Sequence, residues 1–373
     1  MIQAERISPR QLTLLIVCIK LSALTTYAPI ITSTPQGVRD SWLAAILAGS
    51  IALGMTLLAC WLGEKFPRQT IFQYCEIICG KLIGKIIGLT LICFFIYYTA
   101  LSLRMFTEFV LTTMLPGTPL IVLTLVAMGV TAYMVRNGLE AIGRFTEIIG
   151  PPLLLLFPVL LISEAPKMHL YHLLPIMEDG IKPVVIHSLT PIGIFGEAVW
   201  IVLLALPGLN KPETIKRAVF FGFLFNIFMV SSVAAAIIAI FGPTVAGQLF
   251  FPAFSMVRMI SIADSLERLE AVLSILFIVN MFIKTGFFFY ASLIGTMQWL
   301  KCKEYKPLVL PLAVVITSLS MFIVRNIMGL KDFYAPQVFV PFVLTMEAGL
   351  PLLLTIVVIV RTILPRGFSG LKP

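Results

Sequence analysis

Residues 188–200, "SLTPIGIFGEAVW", lie in an apolar run long enough to cross a bilayer, yet they include a proline, two glycines and a glutamate. Pro191 cannot donate a backbone hydrogen bond, and Gly193 and Gly196 lower the cost of leaving helical geometry. Glu197 follows directly, although a charge at membrane depth is energetically expensive. The segment therefore predicts a membrane helix that is interrupted, with a functional site at the interruption.

The composition of the whole chain is that of a membrane protein. Hydrophobic residues make up 59% of the 373 and charged residues 12%, with a mean hydropathy of +1.02. A water-soluble protein of this length needs more polar surface, so we expect an all-α integral membrane protein, with residues 1–373 as one membrane domain. Apolar runs predict about ten transmembrane helices, at residues 12–34, 41–62, 83–114, 119–135, 142–163, 184–207, 216–241, 270–300, 307–327 and 335–361.

Basic residues alternate between the predicted loops. Seventeen of the 27 lysines and arginines fall on the side that carries both termini, and six fall on the other. The positive-inside rule then places the N- and C-termini in the cytoplasm. Two loop segments, 70–82 and 254–268, mix apolar and polar residues and predict short helices that lie in the membrane interface or pack over the bundle.

The first span contains a second interruption. Its segment "KLSALTTYAP", residues 20–29, puts a lysine, hydroxyl side chains and a proline in mid-span. Breaks in spans one and six, the first of each set of five, predict a 5+5 inverted-repeat, LeuT-like transporter fold with helices 1 and 6 broken and repeats at 12–163 and 184–361. The alternative is that proline and glycine only kink each helix.

Unwound backbone at two such breaks predicts a ligand site near the midplane. Free N–H groups and a positive helix end suit a carboxylate, while free carbonyls hold an ammonium or a cation, so a zwitterion such as an amino acid fits both. The candidate ligand-binding residues are Ser22, Thr25, Thr26, Pro191, Gly193, Phe195, Gly196 and Glu197. Glu197 has three possible roles: binding a substrate amine, carrying a proton, or capping the second half of the helix.

Other ionisable residues lie within the predicted spans. Lys284 is either a fixed ammonium that substitutes for a site cation or a lysine that snorkels to the interface. Arg104 and Glu108, four residues apart, are expected to pair with each other. Glu147 and Glu347 are expected to be buried partners for such cations rather than ligand contacts.

Several function classes are not supported by the sequence. Six cysteines and three histidines show no zinc-type spacing, so no metal or cofactor is expected. The net charge of +9 is spread over many short loops, which argues against nucleic-acid binding. No G-x-S-x-G, H-E-x-x-H or P-loop pattern occurs, so an enzyme is not expected.

Short motifs along the whole chain resemble the GerAB-like B subunits of spore germination receptors, in the amino acid, polyamine and organocation transporter superfamily. They are "ERISPRQL" (5–12), "RDSWLA" (39–44), "RNGLEAIGRFTEIIGPP" (136–152), "IFGE" (194–197), "FPAFSMVRMISIADSLERLEAV" (251–272) and "FIK" (282–284).

The resemblance implies a subunit of the spore inner membrane that works with an A and a C subunit and senses a small nutrient such as an amino acid. The first break in this family usually contains glycine, whereas "KLSALTT" contains none, and Glu270 stands where an aspartate is expected. A proton-coupled amino acid transporter is the alternative function, because one site serves either purpose.

Overall fold

The computed structural model describes residues 6–21, 38–258 and 269–363, and helices form nearly all of these ranges. We number the α-helices along the chain. They are α1 (Pro9–Leu21), α2 (Ser41–Glu64), α3 (Ile71–Cys79), α4 (Lys81–Thr113), α5 (Leu120–Arg136), α6 (Gly138–Glu164), α7 (Ile181–Gly196), α8 (Ala198–Ala205), α9 (Ile215–Ala246), α10 (Pro252–Arg258), α11 (Leu269–Trp299), α12 (Val309–Phe322), α13 (Ile327–Phe333), α14 (Pro336–Leu344) and α15 (Leu350–Ile363), with a π-helical turn at Thr345–Gly349.

The helices agree with the predicted spans, with one correction. Within the described residues, seven helical stretches are long and apolar enough to cross a membrane, and α5 is a shorter apolar helix in the position of the fourth span. The predicted ninth span, 307–327, is not straight, because its helix ends at Phe322 and the chain bends by 95° into α13. The first span is described only for α1, which covers its start.

Local sequence signals fix the start of α1. The Ser8 N–H donates to Gln11 Oε1 (2.9 Å) and the Gln11 N–H to Ser8 Oγ (3.1 Å), forming a capping box. The Ile7 N–H donates to the Gly208 carbonyl (2.8 Å), just after the sixth span. The start of the first span and the end of the sixth therefore lie at the same end of the bundle.

The predicted interfacial helix at 70–82 is present as α3. It begins with a second capping box, in which the Thr70 N–H donates to Gln73 Oε1 (3.0 Å). The other predicted interfacial helix is described only at its start, as α10, and residues 259–268 lie outside the described residues.

The sixth span, α7 with α8, forms the centre of the bundle. Of its apolar window 94% is buried, against 22% for the fifth span. Helices α2 and α14 pack on α7, while α1 packs on α8, α9 and α11, and α11 packs along α4. These contacts bring α1, α4, α7–α8 and α11 around one point in the membrane interior.

Candidate functional site

Glu197, the single residue between α7 and α8, is the centre of a buried polar cluster. Its side chain accepts hydrogen bonds from Lys20 Nζ (2.9 Å, to Oε2) and Lys284 Nζ (2.8 Å, to Oε1). The Tyr98 hydroxyl also donates to Oε1. All four side chains are at most 4% exposed. We call Lys20, Tyr98, Glu197 and Lys284 the Glu197 cluster; it joins the first, third, sixth and eighth spans.

Lys20 makes a further contact that depends on the helix interruption. Its ammonium also donates to the carbonyl of Ile194. Because α7 ends at Gly196, the Ile194 carbonyl lies in the last turn, where carbonyls lack intrahelical partners. One ammonium group thus binds a free helix carbonyl and a carboxylate together.

Aromatic side chains enclose the cluster. The Lys284 ammonium lies 5.5 Å from the centroid of the Tyr98 ring, a cation–π distance. The Tyr98 ring in turn contacts Phe288, with centroids 4.7 Å apart. Apolar walls exclude water and strengthen each charged contact inside them.

The predicted unwinding of helix 6 at residues 193–196 is not seen, because the backbone from Ile181 to Gly196 is helical. Glu197, the one turn residue that separates α7 from α8, also has helical backbone angles (φ −46°, ψ −27°). The glycines serve close packing instead. A Cβ on Gly193 would lie 2.9 Å from Val343 Cγ1, and one on Gly196 would collide with the Glu347 carboxylate. Small residues of this kind let membrane helices approach closely.

The structure describes two of the other candidate ligand-binding residues and leaves three undescribed. Pro191 and Phe195 are buried within α7, and the Phe195 ring packs against Phe223 with centroids 6.3 Å apart. Their backbone is helical, so neither presents unwound backbone to a ligand. The candidates on the first break, Ser22, Thr25 and Thr26, lie outside the described residues.

The structure removes one alternative for Lys284 and one for Glu197. Lys284 is 4% exposed and bonded to Glu197, so it does not snorkel to the interface. Glu197 makes no side-chain capping bond to α8, so capping is not its role. The substitution of Lys284 for a site cation remains a prediction.

Glu347 is buried, as expected, but it is not an ion-pair partner. It lies in the π-helical turn of the tenth span, its side chain packs against Gly196, and neither carboxylate oxygen accepts a hydrogen bond from the described residues. The Glu347 carboxylate lies against Gly196, beside the Glu197 cluster, without a direct ion pair to either lysine. Such π-turns are frequent at functional sites.

The expected Arg104–Glu108 pair is present, with Arg104 Nη2 2.7 Å from Glu108 Oε1. Arg104 also donates to the carbonyls of Ser320 and Met321 (both 3.4 Å) and Arg325 (3.1 Å), which flank the 95° bend. The arginine therefore satisfies carbonyls that the bend leaves without helical partners.

Glu147 is not a buried ion-pair residue. Its side chain is 35% exposed, and its carboxylate accepts from Gln11 Nε2 (3.0 Å) and lies 3.7 Å from Arg10 Nε. Arg10 is itself 71% exposed, so this pair lies at the solvated end of the bundle.

Two members of the Glu197 cluster were not singled out as site residues. From the sequence, Lys20 is only one of the polar residues in the first span, and Tyr98, like Tyr97 and Phe288, is an aromatic residue that lines a pocket, faces lipid or packs in the core. A lysine in an apolar run was a usable signal for Lys20. Within the described residues, no group of three His, Cys, Asp or Glu side chains is arranged to hold a metal ion.

Comparisons with known proteins identify the family of this membrane bundle. A family model described as spore germination protein matches residues 6–327. The chain belongs to the spore germination protein family. Spore germination protein KB of Bacillus subtilis (strain 168) is 28% identical over 329 residues, covering 87% of each chain. Spore germination protein YndE of the same organism is 25% identical, covering 80% of this chain and 82% of the relative.

Among solved structures, the chain is similar to MHP1, a nucleobase-cation-symport-1 family transporter, in a closed conformation with bromovinylhydantoin bound. The TM-score is 0.64 with 15% identity, over 89% of this chain and 75% of MHP1. This likeness shows the fold, a LeuT-like transporter fold. Family and fold are thus those of permeases and transporters rather than of enzymes.

Proposed function

We propose that this chain is the nutrient-sensing B subunit of a spore germinant receptor, and that it binds a small molecule such as an amino acid at the interruption of helix 6. The observation that carries the proposal is the Lys20 ammonium, held by both the Ile194 carbonyl and the Glu197 carboxylate. A free carbonyl at a helix end beside a buried carboxylate is the environment that a ligand ammonium requires.

Lys20 in this account occupies the place of the ligand's ammonium group. An arriving amino acid donates its ammonium to Ile194 O and Glu197 in place of the Lys20 ammonium, which leaves both. The exchange keeps buried charge balanced, which matters because an unpaired buried charge is costly. Ser22, Thr25 and Thr26 are the predicted polar groups on the first span for the ligand carboxylate.

The position of Lys284 supports the proposal that the protein senses its ligand without a coupling cation. Its ammonium lies 2.8 Å from Glu197 Oε1 and is fixed to the eighth span. A covalently attached positive charge cannot cross the membrane with a solute. We therefore propose that Lys284 substitutes for a site cation and makes ligand binding independent of sodium.

Displacement of Lys20 alters contacts among the first, third, sixth and eighth spans. Partner A and C subunits then detect the shift in conformation, so the ligand acts by its differential affinity for two states. We place the chain in the spore inner membrane, with both termini in the cytoplasm as the loop charges predict. The two five-helix repeats, 12–163 and 184–361, are the bodies proposed to move.

A proton-coupled amino acid transporter is the second candidate function, and Glu347 favours it. A buried carboxyl group without a hydrogen-bond donor is far more stable when protonated, and helix motion at Gly196 would change its surroundings. A proton carried by Glu347 would then accompany the solute.

One pair of measurements separates these functions. The purified chain in lipid nanodiscs is screened against the standard amino acids and a set of hexoses for a rise in unfolding temperature, and proteoliposomes are tested for uptake of each stabilising compound. A receptor subunit is stabilised and shows no uptake, whereas proton-driven accumulation indicates the transporter. If none of the compounds stabilises the protein, the proposed ligand class is wrong.

A further inference from the structure

A cavity of about 110 Å³ lies apart from the Glu197 cluster, where α4, α6, α9, α10 and α11 meet. Its walls are largely apolar and include Phe109, Phe157, Val233, Phe254 and Phe277. Phe109 contacts Phe277 with ring centroids 4.5 Å apart and Phe254 at 5.4 Å, so the aromatic wall is tightly packed.

Asn280 gives this cavity a polar end. Its side chain lines the cavity and is 1% exposed, yet neither its amide oxygen nor its amide nitrogen has a hydrogen-bond partner among the described residues. Leaving both atoms unpaired in an apolar interior costs several kcal/mol. Buried amides are almost always satisfied, so a partner outside the protein chain is expected here.

Water alone is a poor partner. A water bonded to Asn280 and Ser274, the polar side chains among the described lining residues, fills only about 30 Å³ and leaves most of this apolar volume empty. Apolar cavities of ~150 Å³ stay dry and bind molecules of benzene's size. The volume here therefore suits a compact molecule of up to about six heavy atoms.

The chemistry of the wall defines the ligand's class. An amide presents one acceptor and two donors side by side, which a second carboxamide matches with two hydrogen bonds. None of the described residues that line the cavity is charged, so an ionised ligand would have no counter-charge among them. We infer that this cavity is a second ligand site, which takes a compact, neutral molecule with an aliphatic body and a carboxamide end bound by Asn280.

The position of this site links it to the Glu197 cluster. Asn280 and Lys284 lie four residues apart on α11, and hence on one face, while α4 carries both Phe109 and Tyr98. A molecule bound in the cavity contacts both α4 and α11, the helices that supply Tyr98 and Lys284. The site's existence does not depend on the function proposed for the cluster.

The test uses two isosteric probes, isobutyramide and 3-methyl-2-butanone, on the full chain in lipid nanodiscs. We expect isobutyramide to raise the unfolding temperature of the wild type more than the ketone, which accepts but does not donate. Asn280→Leu should weaken isobutyramide binding at least about tenfold, which corresponds to about 1.4 kcal/mol. Without probe, this variant should be no less stable than the wild type, because leucine leaves no amide unpaired.

Ala253→Leu fills the cavity from α10 and leaves Asn280 intact. It therefore provides a second test of the cavity if Asn280→Leu does not fold. It should also abolish isobutyramide binding, whereas Arg144→Met, which removes an exposed ion pair with Glu140, should leave binding unchanged. Equal stabilisation of wild type and Asn280→Leu would overturn the inference. So would a lipid acyl chain found in the cavity by native mass spectrometry and crosslinking.

Discussion

Two of the described membrane helices are interrupted, and at each interruption a cationic side chain from another span binds the backbone carbonyls. The two sites use different residues. At the sixth span Lys20 binds the Ile194 carbonyl, and at the ninth span Arg104 binds the carbonyls of Ser320, Met321 and Arg325. Each cation comes from another span and also pairs with a glutamate. In both places, therefore, a helix break is stabilised by a buried ion pair.

The two breaks differ in how firmly the cation is fixed. Arg104 has a planar fork that bonds several acceptors, and its glutamate lies one turn away on the same helix. Lys20 is a single ammonium on a flexible stem, and its glutamate lies on another span. Under the proposed function, the arginine break is structural and the lysine break is the one that a ligand opens.

The largest effect is expected for Glu197→Gln. Removing this carboxylate leaves the Lys20 and Lys284 ammonium groups buried without a counter-charge, so stability should fall by about 3–5 kcal/mol. Chemical unfolding in mixed micelles measures the loss. Glu147→Gln, at the solvated end of the bundle, is the matched control and should cost far less. Equal losses of stability in the two variants would show that Glu197 contributes no more to the free energy of unfolding than the solvated Glu147.

Arg104→Met should be the next most damaging change. It leaves the carbonyls at the bend and the Glu108 carboxylate unpaired, with an expected loss of about 3 kcal/mol. Arg104→Lys keeps the charge without the fork and should recover part of the loss. Neither variant should change the affinity of the folded protein for its ligand, and a large change in affinity would remove the distinction between the two breaks.

Tyr98→Phe tests one hydrogen bond of the cluster. The phenol donates to Glu197 while the ring remains packed on Phe288, so the expected loss is about 1.5 kcal/mol. Tyr97→Phe, on the same helix, is its control and should be nearly neutral. A neutral result for Tyr98→Phe would show that the two lysines alone satisfy Glu197.

The smallest effect is expected for an exposed pair with the same spacing as Arg104 and Glu108. Arg144 lies 2.6 Å from Glu140, but the side chains are 71% and 43% exposed. Arg144→Met should cost at most about 0.5 kcal/mol, measured by the same unfolding assay. A loss as large as that of Arg104→Met would mean that burial does not set the strength of these pairs.

The sequence predicted the contacts that depend on neighbouring residues. Arg104 and Glu108 pair because residues four apart share a helix face. Lys284 and Glu197 were recognised as functional candidates because charge is rare at membrane depth. The family resemblance was confirmed by the family model and by the relatives.

Contacts across the bundle could not be predicted in the same way. Lys20 and Glu197 are 177 residues apart, and nothing in either segment specifies that they meet. Glycine permits unwinding but equally permits close packing. The packing role of Gly193 and Gly196 depends on Val343 and Glu347, which lie far away in the sequence. The bend after Phe322 contains neither proline nor glycine, and its capping arginine lies on a distant helix.

The most direct test of the central claim is the response of Lys20→Met to the amino acid that best stabilises the wild type. Removing the ammonium frees Ile194 O and Glu197, so the variant should bind that amino acid more tightly, shown by half-maximal stabilisation at a lower concentration. Lys284→Met, which leaves Lys20 in place, is the control and should show no such gain. A folded Lys20→Met protein that binds the amino acid more weakly, or not at all, would contradict the account.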